Sequence, residues 1–134
     1  EIYQCDWSSD VCSSDLITAS YALNGGGGTP SVVDIGDISG DYTPNYASGL
    51  IQKASLTDTT TIYSPTNGVA GAKLELWLNS YGATRNLSLD SSIIIPSDSA
   101  ITWPKTLSSG KTYIILLKSP DGSIWWLTSM IGGY

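Results

Sequence analysis

The chain has 134 residues with 12 Asp and Glu, 6 Lys and Arg, 13% charged residues, no His and five Trp, and 41% of it is apolar. This is the length of one domain with enough apolar residues for a core. The acidic balance, without clustered Lys or Arg, excludes a phosphate-backbone binder. The absence of His removes the commonest general base and metal ligand, so composition points away from an enzyme. No run approaches the length of a membrane-spanning helix, and no basic segment precedes an apolar one at the N-terminus, so neither membrane insertion nor secretion finds support.

In chain order, the first segment to interpret is Asp6-Trp-Ser-Ser-Asp-Val-Cys-Ser-Ser-Asp-Leu16. Codon for codon it resembles the translation of a common short-read sequencing adapter, and its flanks back to Glu1 fit the same frame. The resemblance implies that residues 1-16 are a non-native, adapter-derived segment with no part in the core. Both cysteines, Cys5 and Cys12, fall inside it, so the cysteine count says nothing about disulfides or redox compartment. Four of the twelve acids (Glu1, Asp6, Asp10, Asp15) also fall inside it, which leaves eight acids against six bases and a net charge of −2 rather than −6. On this reading residues 17-134 form a single β-domain, the C-terminal fragment of a longer protein, ending at Tyr134.

From Ile17 onward Ser, Thr, Gly and β-branched residues dominate, helical periodicity is lacking, and turn residues recur at short intervals, as in a sandwich or barrel. Strands are predicted over Ile17–Leu23, closed by Asn24 and the Gly25–Gly28 run, and over Ser31–Ile38, followed by a polar loop with Gly40, Pro44 and Asn45. Leu50–Leu56 and Thr59–Tyr63 come next with Thr57-Asp58 between them, then a turn at Pro65-Thr66-Asn67-Gly68. In Ala72–Ser80, Leu74, Leu76 and Leu78 alternate with Lys73, Glu75, Trp77 and Asn79, which predicts one buried and one outward face. Thr84–Asp90 turns Leu87 and Leu89 inward, Ile93–Ile95 stops at Pro96, and Ile101–Trp103 precedes Pro104. Lys111–Lys118 and Ser123–Ser129, joined by Ser119-Pro120-Asp121-Gly122, predict a hairpin.

Two segments, Tyr113–Leu117 and Ile124–Leu127, are apolar on both faces, which a half-wet sheet does not require. A second sheet, further N-terminal chain or another subunit must cover them. The expected fold is therefore all-β, an antiparallel β-sandwich of jelly-roll type in a homotrimeric assembly.

The chemical motifs are weak. Ser109-Gly110-Lys111-Thr112 resembles the tail of a phosphate-binding loop, but Lys105 stands where its first Gly belongs, and a strand is predicted where a helix should follow. Asp34, Asp37 and Asp41 lie close together without the spacing of a calcium loop, which favours turn-forming and solvating roles. Glu75 and Asp90 are the only acids near the best-defined strands, too little for a glycosidase pair, and no nucleophile motif is present. No catalytic residue, cofactor or metal is expected. Trp77, Trp103, Trp125 and Trp126, with seven tyrosines beyond Tyr3, offer either sugar-stacking platforms or core and interface. The candidate receptor or interface residues are Trp77 with its face partners Glu75 and Asn79, and Trp125 and Trp126, one of which must face inward. The low charge favours a Trp77 ring covered by a neighbouring strand or subunit.

From Gly71 to Tyr134, about half of the chain, the wording resembles the C-terminal domains of bacteriophage tail-fibre and related virion proteins. The phrases that carry it are Ala72-Lys-Leu-Glu-Leu-Trp-Leu78, Arg85-Asn-Leu-Ser-Leu89, Ile93-Ile-Ile-Pro-Ser-Asp-Ser99, Pro104-Lys-Thr-Leu107, Ser109-Gly-Lys111, Ile114-Ile-Leu-Leu-Lys118 and Ile131-Gly-Gly-Tyr134. Ile17 to Thr66 resembles the variable part of such fibres only loosely. The resemblance implies a virion structural protein, assembled in the host cytoplasm, whose compact domain caps an elongated trimer. Its implied partners are other virion proteins and a host surface glycan or protein, with no nucleic acid and no membrane insertion. A carbohydrate-binding module of a lost enzyme and a capsid decoration protein are the alternatives.

Overall fold

The computed structural model describes residues 31–134. The predicted strand Ile17–Leu23, the Gly25–Gly28 connector and the segment 1-16 lie outside the described residues. Eight strands follow in order: β1 (Val32–Tyr42), β2 (Ile51–Ile62), β3 (Ala72–Ser80), β4 (Arg85–Leu89), β5 (Ile93–Ile94), β6 (Lys105–Leu107), β7 (Thr112–Ser119) and β8 (Trp125–Gly132), with one 3-10 turn at Tyr46–Ser48 between β1 and β2. The described chain is all-β. Its sheet runs β5-β8-β7-β3-β2-β4-β6, and β1 pairs β2.

β2 changes partner along its length, and its register against β1 slips between Leu56 and Thr60, the mark of a bulge that bends a strand. Ile51–Leu56 pairs with Glu75–Ser80 of β3, whereas Thr60–Ile62 pairs with Leu87–Leu89 of β4. Gln52, Ala54, Leu56, Thr60 and Ile62 face inward, but Asp58, which strict alternation would also bury, is exposed. Its carboxylate accepts the Thr59 N–H at 2.7 Å, and its carbonyl accepts the Thr60 hydroxyl at 3.1 Å. These local bonds hold the bend in place of ladder bonds. The Thr57-Asp58 signal therefore marks a bend inside one strand, not a turn between two.

The bend lets one core serve both parts of the sheet. Leu74, Leu76 and Leu78 of β3, Ile115 and Leu117 of β7, Leu87 of β4, Leu107 of β6 and Trp125 of β8 belong to a single buried cluster. The buried Gln52 amide is satisfied: its N–H groups reach the carbonyls of Asn45 at 2.7 Å and Gly49 at 2.9 Å, and its oxygen accepts the Tyr42 hydroxyl at 3.3 Å. Burial pushes the Tyr42 phenol up from its ordinary pKa.

The expected antiparallel pairing is corrected to a mixed one. β3–β7, β4–β6 and β7–β8 are antiparallel, but β1–β2, β2–β3, β2–β4 and β5–β8 are parallel. Parallel pairs need a return connection, and two of these returns brace each other. The Tyr46 N–H donates to the Thr66 carbonyl and the Thr66 N–H to the Pro44 carbonyl, both at 2.9 Å, and the Asn67 amide N–H reaches Asn45 Oδ1 at 2.9 Å. Asn67 supplies the positive φ expected of that segment, +58°. Its Pro, Asn and Gly residues mark a change of direction, but they do not state whether the next strand returns antiparallel or crosses over.

The hairpin prediction holds. Asp121 Oδ1 accepts the N–H groups of Ser123 at 2.8 Å and Ile124 at 2.9 Å, and the Gly122 N–H donates to Ser119 Oγ at 2.8 Å. Those N–H donors hold the Asp121 carboxyl below its ordinary pKa. Ile101–Trp103, by contrast, forms no strand. Ile101 and Trp103 pack against the core, and the strand that follows them is Lys105–Leu107, paired with Arg85–Leu87.

Candidate functional site

The outward face of the sheet is where chemistry is available, and the register shows what stands beside what. Across one row, Asp34 of β1 pairs with Lys53 of β2, Lys53 with Trp77 of β3, Trp77 with Ile114 of β7 and Ile114 with Ile131 of β8. In the next row Ser55, Asn79 and Thr112 are neighbours. Towards the other end of the strands lie Glu75 beside Leu116, then Lys73, Lys118, Trp126 and Ile94. The face divides into a polar half on β1, β2 and β3 and an apolar half on β7, β8 and β5, with Trp77 at the boundary.

On the polar half, the Trp77 indole N–H donates to Glu75 Oε1 at 2.9 Å. This contact between alternate residues of one strand fixes the ring. The Asn79 amide donates to Thr112 Oγ1 at 3.1 Å, and Lys53 Nζ lies 3.3 Å from Asp34 Oδ2, both side chains being more than half exposed. Such an exposed ion pair adds little stability. A cleft of about 270 Å3 opens here, lined by Asp34, Lys53, Ala54, Ser55, Trp77, Asn79 and Thr112.

Of the residues expected to share a site, Trp77 and Asn79 line this cleft together. Glu75 does not, and serves instead to anchor the ring. The Trp77 ring is half-buried within the described chain. Trp125 and Trp126 point to opposite faces, as adjacent strand residues must. Trp125 is fully buried, its ring 5.9 Å from that of Tyr46, beside a place where the backbones of Gly68 and Gly122 touch so closely that a Cβ on either would collide. It is a core residue, and its indole N–H has no acceptor among the described residues. Trp126 is 46% exposed and borders an apolar depression with Gly71, Lys118, Pro120 and Thr128.

Asp34, Lys53, Ser55 and Thr112 were not foreseen as neighbours of Trp77. The alternation Ile51, Lys53, Ser55 gave their facing, but only the parallel β2–β3 register brings them to the ring. Asp34, Asp37 and Asp41, close together in the sequence, all lie on strand β1: Asp34 pairs Lys53, and Asp41 accepts the Tyr63 hydroxyl at 3.4 Å. The Asp41 carboxylate raises the Tyr63 phenol pKa. Among the described residues no three metal-ligating side chains gather. Gly110, in the phosphate-loop-like tetrapeptide, sits at φ +75° in a turn leading into strand β7. Compared with known protein families, curated proteins and solved structures, the chain finds no match in any of the three.

Proposed function

We propose that this domain is a structural module of a virion appendage such as a bacteriophage tail fibre, non-enzymatic and without a cofactor, which associates with copies of itself, most simply as a trimer, and meets a host surface. The observation that carries the reading is the apolar half of the outward face. Ile94, Trp126 and Ile131 are each more than two-fifths exposed, with the half-buried Ile114 and Leu116 beside them on β7. These side chains come from three adjacent strands, Ile131 beside Ile114 and Trp126 beside Ile94, and even with Lys118, Thr128 and Ser129 interspersed they gather more apolar surface than singly scattered residues do. A second copy covers such a patch without demanding any new chemistry. The wording of residues 71-134, which resembles fibre C-terminal domains, supports the same reading, and the virion is the location that follows from it.

Light scattering or sedimentation equilibrium on the purified chain tests the proposal. The expected mass is three times that of one chain. A single-chain mass at micromolar concentration overturns the assembly reading.

A further inference from the structure

The cleft beside Trp77 lies on the polar half of the face, away from Trp126 and Ile94, and the self-association proposed above would leave it open. Its walls are unlike those of the apolar half: one aromatic surface, one cation, one anion, an amide and two hydroxyls within a space of about 270 Å3. We propose that this cleft binds one pyranose ring of an uncharged saccharide, with the apolar face of the sugar lying on the Trp77 indole. This rests on the reading of the domain as a module that meets a host surface, and names what it meets there.

Four features select that ligand class. First, the only polar atom of the indole is already committed to Glu75 at 2.9 Å, so Trp77 offers a ligand a flat apolar surface and nothing else. Because that contact also holds the ring, stacking upon it costs little ordering. Second, Lys53 supplies donors, Asp34 acceptors, and Ser55 and Asn79 both kinds, since the Asn79 bond to Thr112 uses one of its amide hydrogens. Sugar hydroxyls donate and accept at once, and match such a mixed wall. Third, the two charged groups lining the cleft pair with each other at 3.3 Å, and the charged group next to the ring is the Glu75 carboxylate, so the site offers a phosphate or a uronate no uncompensated cation. Fourth, the volume falls below the roughly 300–1,000 Å3 of sites for larger ligands, which suits a single ring.

A peptide strand fits less well. The cleft lies over the middle of the sheet, where the backbone groups of β2 and β3 are engaged in ladders on both sides. Strand addition needs a free edge.

The test titrates the full chain with neutral oligosaccharides of glucose, galactose, mannose and N-acetylglucosamine, and with sialylated and uronate-bearing counterparts. Calorimetry and saturation-transfer NMR read the binding. At least one neutral series binds, Trp77→Ala weakens it by about tenfold or more, and Tyr81→Ala, an exposed aromatic outside the cleft, leaves it unchanged. Should Trp77→Ala fail to fold, the indole N–H cross-peak of Trp77 in the labelled wild-type protein replaces it, and must shift on titration. Absence of neutral binding at high millimolar concentration, preference for the acidic sugars, an unshifted Trp77 peak or equal loss in Tyr81→Ala overturns the proposal. The measured mass separates the two readings: a trimer that binds no neutral sugar sinks only the saccharide site, and a monomer that binds one sinks only the assembly.

Discussion

The two halves of the outward face sit on one continuous inner face and are built from the same alternating strands, yet they differ in everything that a partner would feel. On β7, β8 and β5 the outward positions include Ile114, Leu116, Trp126, Ile131 and Ile94, with Lys118 and Thr128 among them; on β1, β2 and β3 they include Asp34, Lys53, Ser55 and Asn79. Folding itself needs only the inner face, so the outward residues are free to be set by what touches them. An apolar half suits another protein surface, and a mixed polar half with one anchored ring suits a small hydroxylated ligand.

The comparison is broken most severely from beneath. Leu76 is 1% exposed and stands behind both Glu75 and Trp77. Leu76→Ala is expected to cost about 2–5 kcal/mol, and to weaken self-association and saccharide binding together. Chemical denaturation measures the first effect. Loss of only one of the two functions would show that the halves do not share this foundation.

A substitution on the apolar half should separate them. Trp126→Asp places a charge where the proposed contact is apolar, and truncation of such an anchor typically costs about 2 kcal/mol or more of association. Light scattering should then show the mass falling to that of one chain, while saccharide binding per chain and the secondary structure seen by circular dichroism persist. An unchanged mass would place the contact elsewhere.

On the polar half the effect is smaller and more local. Glu75→Ala removes the acceptor of the Trp77 indole without touching the lining of the cleft. Affinity for a neutral saccharide should fall by about three- to tenfold, on the order of 1 kcal/mol, with the oligomeric mass unchanged. Glu75→Gln, which keeps an acceptor oxygen, should restore most of it. Equal loss in both variants would argue for a direct role of the carboxylate.

How far the sequence announces this arrangement differs between the halves. β3 is legible because Leu74, Leu76 and Leu78 alternate without interruption, and the β7–β8 hairpin because Ser119-Pro120-Asp121-Gly122 is a local turn signal. The doubly apolar character of Ile114, Leu116 and Trp126 is equally local, so the apolar half can be read from residues alone. The polar half cannot. Lys53 and Asp34 reach Trp77 only through two parallel pairings, and strand direction has no local signature. Asp58 adds to the difficulty, since an exposed acid inside an inward series looks like a turn when it is a bend. Lys105–Leu107 was hidden for the opposite reason, as Ile101 and Trp103 have strand-like composition but spend it on packing at the edge of the core.

The smallest expected effect concerns the tip of the hairpin that carries the apolar half. Asp121 is exposed, and its carboxyl is held below its ordinary pKa first by the Ile124 N–H and then by the Ser123 N–H. A group whose folded pKa is depressed contributes stability above its unfolded pKa, about 3.9 for Asp, and loses it as pH falls through the folded value. At neutral pH the contribution is fully present, and below about pH 4 it drains away as the carboxylate that gathers those N–H groups is protonated. Asp90 is depressed likewise by its bonds to Ser92, ahead of β5 on the same half. Acid should therefore loosen the β7–β8 turn and the start of β5 before it affects β3. Amide exchange followed from pH 6 to pH 3, corrected for intrinsic rates, should show protection falling at Ile124 and Ser92, whose N–H groups the two carboxylates accept, while Trp77 stays protected. In Asp121→Ala the Ile124 amide should already exchange fast at pH 6 and gain nothing further in acid. If wild type and variant respond alike, the carboxylate is not what holds the turn, and the apolar half depends on its strand pairing alone.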